Sequence, residues 1–178
     1  RAAYGAAVLA ILAVALGGLT AKIPGASVAC TTVPSCGRNP NSDTLAFVVQ
    51  SVHRTAALLL VLHLLGMVMT IRKRRADEAL VVVRATYVAF GMVLLQLVVA
   101  SSMILLHMPP VLRSLHEATG VGIWLSCFSL AYLARRVDRA QSLGVPEPVP
   151  IQEPVAVREP LQRAPHTMAV IVARGADL

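Results

Sequence analysis

The charged positions of this chain are bunched, and the intervals between them are almost wholly apolar. Four intervals contain no Asp, Glu, Lys or Arg: Ala2 to Ala21, Thr55 to Ile71, Ala85 to Leu106 and Ala118 to Ala134. Each matches the ~17 to 25 residues that a helix needs to cross bilayer hydrocarbon. In that medium a segment must satisfy its own backbone N–H and C=O groups, which a helix does and an isolated strand does not. The pattern predicts four spanning helices, over about 4–21, 45–71, 85–107 and 113–134. Pro24, Pro34 and Pro40, with Gly25, Gly37 and the run Asn39-Pro40-Asn41, keep the first connection irregular. Pro109 and Pro110 end the third helix, so the fourth is expected to restart at Val111 or just after.

Composition agrees with this pattern. A chain that is 56% hydrophobic and 14% charged lies outside the range of ordinary soluble domains. The net charge of +7 would suggest nucleic acid in a soluble protein, but here the charge stands at helix ends. Arg72, Lys73, Arg74, Arg75 and Arg84 lie between the second and third helices, and Arg135, Arg136 and Arg139 follow the fourth. The other connections carry only Lys22 and Arg38, and Arg113. Basic residues collect on the cytoplasmic side, so the 72–84 loop and the C-terminus are expected inside, and the 22–44 and 107–115 loops outside. The expected fold is an all-α membrane protein, a four-transmembrane-helix bundle with both termini cytoplasmic. It would sit as a multi-pass protein in a bacterial inner membrane, with lipid rather than nucleic acid as its surroundings. The first apolar run is longer than the ~7 to 15 residues of a signal-peptide core, which favours a retained helix; with Arg1 in place of an initiator Met, a trimmed or mature chain is expected.

The cysteines fit the same topology. Cys30 and Cys36 lie in "CTTVPSC", within the connection assigned to the outer side, where a disulfide is favoured over two free thiols. The ring is short, which puts its stabilisation at the low end of ~2 to 4 kcal/mol and makes shaping the loop its main role. Cys127 falls inside the fourth helix and reads as a small buried residue. From Ser142 onward the composition changes, with six prolines between Pro146 and Pro165. This divides the chain into a transmembrane domain, 1–140, and a proline-rich tail, 141–178, expected to be polyproline-like or disordered. The tail is a candidate contact with a second copy or a larger membrane complex.

The histidines suggest chemistry. Counted from the cytoplasmic end of each helix at ~1.5 Å per residue, His53 lies roughly 27 Å above Ile71 and His116 roughly 27 Å above Ala134. The two are level, near the outer face. His63 lies about 15 Å deeper with no histidine at its height, and reads as a packed or hydrogen-bonded helix residue. Two imidazoles at one level on different helices of a bundle can ligate a haem iron from both faces. Arg54, assisted by Arg113, would then stand near the haem propionates. With equal weight, His53 and His116 are interface residues, and Arg54 and Arg113 snorkel to water. Zinc is less suited, because no tetrahedral set forms at that level unless Glu117 turns inward.

Three stretches, "GGLTAKIPGASVACTTVPSC", "VVQSVHRTAA" and "QLVVASSMILLHMPPVLRSLHEATG", resemble the haem A synthase family. Members of that family oxidise a methyl group of haem O to the formyl group of haem A, and usually comprise two four-helix halves. The likeness runs from about Gly17 to Arg136, one half only. It implies that His53 and His116 are axial haem ligands, that Arg54 supports the haem site, and that Cys30 and Cys36 form the loop disulfide. It also marks Gln50 and Gln96 as cofactor-binding positions. In the family's catalytic half a Glu precedes the His of the His-Arg pair by three residues; here that position is Gln50, as in the half that holds haem b. An amide cannot act as a base near neutral pH. The resemblance therefore implies a haem b-binding protein, with haem O or haem A as substrate or product if a second half is supplied by a homodimer or another chain. The alternative is a non-catalytic b-haem subunit of a respiratory or photosynthetic electron-transfer complex.

Overall fold

Each charge-free interval coincides with a helix; the first, second and fourth helices run past theirs, whereas the third starts earlier, at Leu80, and ends at Leu105, short of the predicted 107. A computed structural model of the chain describes residues 1–32, 36–74 and 78–144. Helix α1 spans Ala2–Lys22, α2 Thr44–Lys73, α3 Leu80–Leu105 and α4 Pro110–Ser142, with a single 3-10 turn at Ala26–Val28. All four are long and apolar enough to cross a membrane, and no β-strand occurs among the described residues. The proline-rich stretch expected to be polyproline-like or disordered lies outside the described residues from 145 onward.

The helix ends differ from expectation for physical reasons. Arg84 lies inside α3 and Arg135, Arg136 and Arg139 lie inside α4, because arginine is a good helix former. A change from apolar to basic marks where hydrocarbon ends, not where a helix ends. Helix α4 starts at Pro110 rather than at Val111 or beyond, since the first helical position needs no N–H and suits the fixed φ of proline. The chain reverses at His107 and Met108, both left-handed with φ of 58° and 66°. There the Met108 N–H donates to the Met103 carbonyl at 2.8 Å, closing the last turn of α3 before the prolines.

Helix α1 packs on α2 and α4, and α3 packs on α4 and, more sparsely, on α2. The diagonal pairs α1/α3 and α2/α4 bring no Cα atoms within 8 Å of each other. The core formed by Ala6, Ala10, Leu60, Leu64, Cys127 and Leu130 occupies the half of the bundle away from the 23–43 connection. Leu59, Leu62, Leu94, Val98 and Phe128 face outward, as an apolar exterior in lipid requires. At the other end, Ala26, Ala29 and Ala46 form a second small core that seats the connection on α2. An isolated antiparallel bridge joins Cys30 and Arg38, and Arg38 donates to Thr44 Oγ1 at 3.2 Å while its guanidinium lies 5.2 Å from the Phe47 ring.

Candidate functional site

Because α2 and α4 stand on a diagonal and the core fills only one half of the bundle, the loop-side half holds a cavity of about 600 Å³. This lies within the ~300 to 1,000 Å³ typical of cofactor pockets. All four helices line it, mostly with apolar side chains such as Val61, Val93 and Leu97. His53 from α2 and His116 from α4 both face it, so the structure brings together the two imidazoles that the depth count put level.

Each histidine is held by a different neighbour. His53 lies against α1, where its Nδ1–H donates to the Ala13 carbonyl at 3.1 Å. With that bond made, Nε2 is the nitrogen left with a free lone pair. The approach depends on Gly17: a Cβ there would stand 3.1 Å from His53 Cε1. His116 is held instead by α3. Gln96 Nε2 donates to the His116 carbonyl at 3.0 Å and lies 3.4 Å from the ring Nε2. Thr119 donates from Oγ1 to Gln96 Oε1, which fixes the amide. His116 Nδ1 is buried and has no hydrogen-bond partner among the described residues.

Gln50, Arg54 and Arg113 also line the cavity, as does Glu117. Arg54 is half-buried, and its guanidinium donates to the carbonyls of Thr32 at 2.5 Å and Cys30 at 3.2 Å, tying the connection to α2. Cys36 sits at the cavity wall with Sγ 3.4 Å from Ser51 Oγ, and its Cα lies 4.8 Å from that of Cys30, within disulfide range. His63 is absent from the cavity wall and bonds the Ala2 carbonyl through Nε2 at 2.8 Å, in keeping with a hydrogen-bonded helix residue. His107 is exposed at the α3–α4 turn.

Sequence reasoning overlooked Gly17, Ala13 and Thr119 as members of the site. Thr119 had a readable signal, its place three residues after His116 on the same helical face. The Ala13 carbonyl had none, because a backbone acceptor carries no side-chain signature.

The donor set narrows the ligand. Two imidazoles in an apolar cavity, with no group of three or more His, Cys, Asp or Glu among the described residues, make a poor cage for a bare cation. They suit a planar iron macrocycle that brings its own four equatorial donors. Gly17, whose missing side chain leaves room for the His53 ring, keeps that imidazole at the cavity wall. No curated protein and no solved structure matches the chain. The model of the COX15-CtaA family, described as cytochrome oxidase assembly protein, matches residues 1–128, which include both cavity histidines and the 23–43 connection. The chain belongs to this family of cytochrome oxidase assembly proteins, the haem A synthase family.

Proposed function

We propose that this protein binds one b-type haem between α2 and α4, with His53 and His116 as its axial ligands, in the manner of a haem A synthase half. The observation that carries the reading is that two diagonal helices each present a histidine to one shared cavity. Arg113, at the rim, is the cation available to the propionates, and Arg54 holds the loop that closes the site. Gln50 and Gln96 are among the polar groups of a mostly apolar wall. When bound, the haem supplies the redox chemistry; the protein supplies orientation and a water-poor surrounding.

Catalysis is the oxidation of haem O to haem A, and it requires a partner half, either a second copy of this chain or another subunit in a complex contacted by the 141–178 tail. Gln50 favours the second reading, a non-catalytic b-haem carrier in an electron-transfer complex, because the cavity then has no proton acceptor at that position. The clustered arginines and lysines at the Lys73 and Ser142 helix ends support cytoplasmic termini in a bacterial inner membrane. On that topology Cys30 and Cys36 face the oxidising side and form a disulfide.

Absorption spectroscopy of the purified protein tests the reading. A low-spin haem spectrum is expected, lost or converted in His53→Ala and His116→Ala; unaltered spectra in both would refute the ligand assignment. Incubation with haem O and a reductant then separates the readings, haem A formation marking the enzyme and its absence the carrier.

A further inference from the structure

We infer that the two histidines are unequal: His53 is a fixed ligand and His116 a releasable one, so that a small neutral ligand reaches the iron from the α4 side. This rests on the haem-binding reading above. The asymmetry is in the second nitrogen of each ring. His53 Nδ1–H is anchored on the Ala13 carbonyl at 3.1 Å, and the ring is backed by Gly17. Such a bond orients the imidazole and makes its other nitrogen a stronger donor. His116 Nδ1 is buried with no partner among the described residues, so nothing on that side holds the ring or strengthens Nε2.

The neighbour of His116 Nε2 completes the device. Gln96 Nε2 lies 3.4 Å from it, and the amide orientation is set by donation to the His116 carbonyl at 3.0 Å, with Thr119 Oγ1 in contact with Gln96 Oε1 on the other side. The reversed amide would bring two oxygens to the same 3.0 Å and lose the bond to the His116 carbonyl. The lone pair of His116 Nε2 therefore has two claimants, the iron and an amide N–H. On release, the iron–nitrogen bond breaks with both electrons staying on Nε2, and that lone pair accepts the Gln96 hydrogen bond. An incoming donor such as carbon monoxide supplies the replacement pair from carbon. No proton moves and no group changes oxidation state. Gln96 and Thr119 are positioning residues that stabilise the released state.

The test is a carbon monoxide titration of the reduced, full-length haem protein, followed by absorption. The wild type is expected to exchange its low-spin spectrum for a carbonyl spectrum. His116→Ala is expected to keep its haem and bind carbon monoxide at least tenfold more tightly, whereas His53→Ala loses most haem on purification. Gln96→Leu frees the Nε2 lone pair for iron, and carbon monoxide affinity should fall roughly three- to tenfold, the worth of one weak hydrogen bond. Thr119→Val should move it in the same direction. Added imidazole should restore the low-spin spectrum of His116→Gly, which separates ligand loss from misfolding. A low-spin protein that takes up no carbon monoxide, or one in which His53→Ala keeps haem and His116→Ala loses it, overturns the inference while leaving haem binding intact. Unchanged affinity in Gln96→Leu overturns the role of the amide. A protein without low-spin haem defeats this inference and the underlying reading together.

Discussion

Gly17 and Arg54 show how much of the site rests on groups that make no bond to a ligand. The space at Gly17 is occupied by the His53 ring, so a β-branched residue there must push the imidazole away from the Ala13 carbonyl. Gly17→Val is therefore expected to lower haem content per chain severalfold, whereas Gly18→Ala, with nothing within 4 Å of the added Cβ, should leave it unchanged. Absorption per unit protein measures both. Arg54 spans two carbonyls of the connection, and hydrogen bonds from a charged donor contribute ~1.5 to 3 kcal/mol each. Arg54→Leu should loosen residues 23–43, seen as faster proteolysis there, and Arg54→Lys should recover less than half, because an ammonium cannot match the planar fork. The sequence made His53, His116 and Arg54 readable because ionisable side chains are expensive in apolar helices. It could not disclose what Arg54 holds, since that depends on where a loop twenty residues earlier folds back.

Among elements, the α1–α2 seam is defined by two glycine–histidine contacts. Gly5 receives His63, and Gly17 receives His53, each ring close enough that a Cβ would stand 3.2 Å or 3.1 Å from its Cε1. The Ala2 and Ala13 carbonyls accept the corresponding ring nitrogens. One contact thus fixes the register and the other holds His53 at the cavity wall. His63→Leu should cost about 0.5 to 1.5 kcal/mol in thermal unfolding through the lost bond, and leave the haem spectrum unaltered. A changed spectrum would make His63 part of the site. The existence and order of the helices were legible, because hydrophobic length is a direct physical requirement of the bilayer. Their ends were less so: α4 extends to Ser142 because arginine side chains can reach water from within a helix. Which faces meet also escaped the sequence, because in lipid small residues such as Gly5 and Gly17 govern helix approach while the apolar pattern is nearly uniform around α1 and α3.

The whole molecule divides along its length into a packed half and a hollow half. The core around Leu64 and Leu130 carries the bundle's rigidity, and the cavity lies where the 23–43 connection closes over α2. This arrangement makes sidedness a functional matter, since the hollow half and the cysteine pair lie at the same end. With termini in the cytoplasm, a membrane-impermeant thiol reagent added to spheroplasts should label nothing at first. On the disulfide reading Cys30 and Cys36 are joined, and Cys127 is fully buried in α4, out of reach of water. After an impermeant reductant, two thiols per chain should react, both in the 23–43 segment by peptide mapping. Immediate labelling would mean free thiols and leave the loop to Arg54, the Arg38 contacts and the small alanine core. Labelling confined to inverted vesicles would reverse the topology, placing the cavity mouth toward the cytoplasm and the arginine-rich helix ends outside.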